Sequence, residues 1–71
     1  MIADIRQLLE ANPFRPFSIV TSAGKHYAVP TADHATFNPR QTRVFVFFDD
    51  DSHVAIAPLH ITSIEQETPA A

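Results

Sequence analysis

The chain opens with apolar residues at helical spacing. Ile2, Ile5, Leu8 and Leu9 share one face, and Asp4, Arg6, Gln7 and Glu10 lie mostly on the other, which predicts an amphipathic helix over residues 2–11. Asn12 can take the left-handed conformation that closes a helix, and Pro13 stops it. A helix this short is unstable alone, so its Ile/Leu face must dock on the rest of the chain. After the stiff connector Pro13-Phe14-Arg15-Pro16, the period falls to two. Phe17 and Ile19 alternate with Ser18, Tyr27 and Val29 point inward from residues 26–29, and Val54 and Ile56 share a face in residues 53–57. Further extended segments are read at 35–38, 43–48 and 61–65.

Turn chemistry separates these strands. Gly24, the single glycine, sits where a hairpin after Thr21 needs positive φ. Asn38-Pro39-Arg40-Gln41 has proline at the second position of a type I turn. Asp49-Asp50-Asp51-Ser52 is a polar reversal, and Pro58-Leu59-His60 suits one 3₁₀ turn before the last strand. Residues 66–71 read as a frayed tail. The expected fold is mainly β with one N-terminal helix: a small, five- or six-stranded antiparallel barrel over residues 16–65, in a single domain spanning 1–71. Its expected core is Ile5, Leu9, Phe17, Ile19, Tyr27, Val29, Val44, Val46, Val54, Ile56, Leu59, Ile61 and Ile64.

One strand breaks the alternation. In Val44-Phe45-Val46-Phe47-Phe48, the residues Val44, Val46 and Phe48 take one face, leaving Phe45 and Phe47 on the other. Leaving a phenylalanine wet forfeits about 1.5–3 kcal/mol, a large share of a typical net stability of about 5–15 kcal/mol. Either the helix or a neighbouring subunit should cover them, so Phe45 and Phe47 are candidate subunit-interface residues. Length points the same way. A chain of 71 residues buries only about 60% of its unfolded surface, and small domains often gain stability by oligomerising.

Composition narrows the remaining options. The absence of cysteine rules out disulfides and thiolate metal sites. No run approaches a membrane span, and MIADIRQLLE lacks the basic start and apolar run of a signal peptide, so a cytoplasmic location is expected. Eight acids against five scattered bases give a formal charge of −3, which disfavours strong non-specific nucleic-acid binding by one subunit.

The order of helix, glycine hairpin, further strands, 3₁₀ turn and closing strand resembles the Sm-like barrel family, which includes the bacterial Hfq proteins. Residues 16–29, PFSIVTSAGKHYAV, and 58–65, PLHITSIE, carry that resemblance. An SH3-like barrel is nearly as compatible, with residues 22–34 as its long first loop. The chain is also similar to short uncharacterised bacterial proteins that combine a leucine-rich helix, a PFRPF-like connector (13–17), a glycine hairpin and a closing Leu59-to-Glu65 segment. The Sm resemblance implies a homo-oligomer, a ring formed by pairing strand edges. It also implies RNA as a candidate partner, although the family's Tyr-Lys-His is here Pro58-Leu59-His60. His60, Arg15, Lys25, Arg40 and Arg43 are therefore the candidate ligand or RNA contacts.

Other chemistry is thinly represented. Asp49-Asp50-Asp51 lacks the glycine and distal glutamate of a calcium loop, so a solvated turn that also guards a sticky strand is the better reading. His26, His34, His53 and His60 lack zinc-site spacing. The serines lack a nucleophile-elbow context, and there is no glycine-rich phosphate loop. Tyr27 and Phe37 could stack bases but fit the core better. No cofactor, metal site or catalytic residue is expected. The function expected is a non-enzymatic oligomeric binding or scaffold module, with an RNA-binding Sm-like ring as the alternative.

Overall fold

The computed structural model describes residues 1–66. Helix α1 (Ile2–Glu10) is followed by strands β1 (Phe17–Thr21), β2 (His26–Val29), β3 (Ala35–Phe37), β4 (Val44–Phe47), β5 (His53–Ile56) and β6 (Ile61–Glu65). A 3₁₀ turn, Ala32–His34, precedes β3, and another, Pro58–His60, precedes β6. Hydrogen bonding divides the strands into two antiparallel sheets, ordered β2-β1-β6 and β3-β4-β5. Among the described residues the ladders do not close into one continuous barrel. No helix among them is long and apolar enough to cross a membrane.

The core lies between the sheets and under α1. Ile5, Phe17, Ile19, Val29, Ala35, Val44, Val46, Ile56 and Ile61 are buried, and Leu8, Leu9, Phe14, Tyr27, Phe37, Phe48, Val54 and Ile64 pack against them. Ile5, Ile19, Val29, Val44 and Val46 are the largest side chains that are fully enclosed. Alternation explains most of this list, because Phe17 and Ile19 pair with Val29 and Tyr27 on one face of the first sheet. Ile61 and Ile64, three apart, should lie on opposite faces of a regular strand. The β1–β6 register shifts between Val20 and Thr21, so that Val20 faces Ser63 while Thr21 faces Ile61. The extra residue lets both isoleucines turn inward. Thr62 at this irregularity donates its hydroxyl to the Val20 carbonyl at 3.1 Å.

Three expectations need correction. Leu59, assigned to the core, is 81% exposed. With three residues per turn, Pro58 and Ile61 stack on the inner side of the 3₁₀ turn and Leu59 is thrown outward. Helix α1 ends at Glu10, and Ala11 is already extended (φ −62°, ψ 140°); Asn12 does not take a left-handed closure. Pro13 lacks the N–H that a continuing helix would need, so the helix closes ahead of it. Of the expected frayed tail, 67–71 lie outside the described residues, but Gln66 is half-buried and donates Nε2–H to the Arg15 carbonyl at 3.2 Å.

The three hairpins share one turn closure, although the β3–β4 loop is one residue longer than the other two. Gly24 N–H donates to the Thr21 carbonyl (2.9 Å), Gln41 N–H to Asn38 (2.8 Å) and Asp51 N–H to Phe48 (3.1 Å). Each donor has positive φ: 79° at Gly24, 56° at Gln41 and 71° at Asp51. A turn followed by one left-handed residue is a common hairpin closure. A left-handed L-residue costs about 1–2 kcal/mol, less for Asp than for Gln. A Cβ added at Gly24 would meet nothing within 4 Å, so conformation alone opposes a side chain there. Gly24→Ala should lower stability by about 1 kcal/mol, whereas Gln41→Gly should raise it by about 0.5 kcal/mol. Urea unfolding midpoints should therefore move in opposite directions, and a shift of both in the same direction would contradict the shared closure.

Candidate functional site

The outward phenylalanines of the second sheet lie outside the core cluster. Register places Phe45 between Thr36 and Ala55, and Phe47 opposite His53. The His53 ring lies 6.2 Å from Phe45 and 5.9 Å from Phe47, centroid to centroid, so the three rings form one tilted cluster. Phe45 is half-buried and Phe47 is 39% exposed. Neither belongs to the core, where the Ile5, Leu8 and Leu9 face of α1 is spent. Arg6 of α1 instead lies 6.0 Å over Phe37, an inward-facing residue of β3. The part of His53 in this face was not legible before the strands were paired. Its signal is the register that brings it opposite Phe47.

Charge is divided between the two ends of the strands. The β1–β2 loop (22–25), the β3–β4 loop (38–43) and the 57–60 segment contain Lys25, Arg40, Arg43 and His60 and no carboxylate side chain. They lie along one rim. Ser22 N–H donates to the His60 carbonyl at 2.8 Å, and Arg43 directly precedes Val44, whose partner Ile56 leads into the 3₁₀ turn. Leu59 stands exposed on this rim. Arg15 does not join it, because it precedes the first residue of β1, whereas Lys25 follows the last. The five-residue strand separates them by about 15 Å. The opposite strand ends carry Arg15, Asp33, His34, Asp49, Asp50, Asp51 and Glu65.

The aspartates of the β4–β5 turn have individual structural partners. The Asp49 carboxylate is 2.9 Å from His34 Nε2 and itself 94% exposed. His34 Nδ1 in turn meets the Thr31 hydroxyl at 2.7 Å, which fixes the ring at the end of the first 3₁₀ turn. Asp50 Oδ1 accepts from both the hydroxyl and the backbone N–H of Ser52. Asp51 supplies the left-handed residue. The remaining histidine pair is peripheral: His26 Nδ1 is 3.3 Å from Glu65 across the outer face of the first sheet. Among the described residues, no three His, Asp or Glu side chains gather into a metal-binding group. A shallow groove between α1 and β6 is lined by Met1, Asp4, Gln7, Leu8, Ile64 and Gln66. Its one carboxylate, Asp4, is 3.8 Å from the Met1 ammonium.

The Ser52 hydroxyl, and then its N–H, hold the Asp50 carboxyl below its ordinary pKa by stabilising the anion. A depressed folded pKa contributes stability above the unfolded pKa, and that contribution is lost as pH falls through the folded value. Ser52→Ala should therefore raise the Asp50 titration midpoint, read by carboxyl-carbon NMR. An unchanged midpoint would show that the hydroxyl does not stabilise the anion.

No protein-family model, curated protein or solved structure matches this chain.

Proposed function

We propose that this chain is a non-enzymatic, self-associating binding or scaffold module of the cytoplasm, built on a small Sm/SH3-like barrel. The observation that carries this reading is the outward cluster of Phe45, Phe47 and His53. Two covers were open to the phenylalanines, the helix or another subunit. The apolar face of α1 packs on the core instead, which leaves a subunit. In this reading the two sheets are the halves of one strongly bent barrel. β2, β3, β5 and β6 flank the central strands, and their outer edges are available for pairing with another copy. Dispersal of the histidines and the structural pairing of Asp49 and Asp50 favour a binding role over catalysis.

A second reading, an RNA-binding Sm-like ring, is supported by the rim of Lys25, Arg40, Arg43 and His60. Repeated around a ring, such a rim would concentrate positive charge where a net-acidic monomer has little. Arg15 lies outside that surface.

Sedimentation equilibrium across a wide concentration range tests the first reading. A mass above the 7.9 kDa of one chain is expected, and a clean monomer at high concentration would overturn it. Filter binding of short A-rich and U-rich RNA at low salt tests the second. Retention that weakens with salt, and is lost in a Lys25→Glu/Arg40→Glu variant, is expected. No retention at tens of micromolar protein would remove RNA as a ligand.

A further inference from the structure

We infer that a second copy of this chain docks on the outer face of β4 about a two-fold axis, setting Arg43 of each copy against Asp49 of the other. The inference rests on the self-association reading and specifies its geometry.

Side chains alternate along β4. Val44 and Val46 are buried, and Phe48 packs against the core with its ring 6.2 Å from that of Tyr27. The intervening positions, Phe45 and Phe47, face outward; Arg43 directly precedes the strand, and Asp49 stands in the turn beyond it with its carboxylate 2.9 Å from His34, which directly precedes β3. The outward stripe thus reads cation, aromatic, aromatic, anion. Residue 46 is its midpoint, so inversion of the stripe is symmetric about that position.

Charge then selects the orientation. A parallel arrangement of two β4 stripes sets Arg43 near Arg43 and Asp49 near Asp49. An antiparallel arrangement brings each arginine to an aspartate and each Phe45 to a Phe47. Like charges across a contact suppress the first arrangement, and complementary charges favour the second. The flanking outward residues, Thr36 on β3 and His53 and Ala55 on β5, place no carboxylate or permanent cation between the stripe ends. Arg43 is exposed, its Nη1 resting 3.0 Å from the Thr42 carbonyl, and the 94% exposed Asp49 can meet an arginine while His34 stays beside it. A two-fold contact is self-complementary, so one stripe supplies both halves. Two such faces pack about 10 Å apart with the aromatic rings between them.

The contact is small. Phe45, Phe47 and His53, with Thr36 and Ala55, fall below the roughly 800 Å² that each partner buries in a standard interface. The dimer should therefore be weak and concentration-dependent, with aromatic residues at its centre supplying most of the affinity.

Charge exchange tests the inference by sedimentation velocity at several concentrations, with circular dichroism to verify folding. Arg43→Asp and Asp49→Arg, each altering both symmetry-related pairs, should each raise the dissociation constant about tenfold. The double variant should recover the wild-type value. Phe47→Ser, at a site outside the core, should give a folded monomer. A wild-type oligomer unaffected by these substitutions would overturn this docking mode and leave self-association standing through another surface. A double variant that fails to recover, although folded, would overturn the antiparallel register. A wild-type monomer at every concentration would overturn both the docking mode and the self-association reading.

Discussion

The folded core of this chain depends on the inward face of β4 being apolar. Its inner residues, Val44 and Val46, are fully buried and tie β3 and β5 to the core that α1 and β1 complete. In so small a chain, one central strand must contribute disproportionately to the enclosed surface, because few other residues are completely removed from water. The outer residues follow from the same strand but not from the same need. A two-stranded contact on either side satisfies the β4 backbone, whereas nothing in the folded core requires Phe45 and Phe47 to be aromatic. Their identity makes sense as a surface property, and the separation of inner from outer roles is what makes substitution at Phe47 a clean probe.

The fold was legible wherever period and burial agreed. The helix, the strand positions and nearly all core residues follow from spacing alone, as with Phe17, Ile19 and Val29. What escaped were features set by partners rather than by local order. Leu59 looked like core because it is apolar beside Ile61, but the tight turn geometry turned it to solvent. Ile61 and Ile64 share the core because of a register shift that shows itself only once β1 is alongside. Gly24 announced its turn through the residue that best tolerates positive φ, while Gln41 and Asp51 adopt the same backbone sign without announcing it.

The surfaces were legible in composition but not in arrangement. Five bases scattered along the sequence look uninformative until antiparallel pairing folds Lys25, Arg40 and Arg43 to one rim and leaves Arg15 on the other. The three turn aspartates looked like one acidic motif, yet His34, Ser52 and the left-handed backbone divide them into three different tasks. Hairpin connectivity sorts charge in this way because successive turns alternate between the two ends of a sheet, so spacing of one strand plus one loop decides the rim on which a residue lands.

The groove between α1 and β6 brings Met1 and Gln66 to the same place on the surface. Entry and exit of the described chain are therefore neighbours, and Gln66 is fastened to the connector through the Arg15 carbonyl. A unit of this kind has the geometry of a cassette. It could be spliced into an exposed loop of a host protein with short joints and little strain on either, or have its two ends linked and a new opening made in one of the three hairpin loops. Grafted in this way, it would carry the outward cluster of Phe45, Phe47 and His53 in an orientation set by the host.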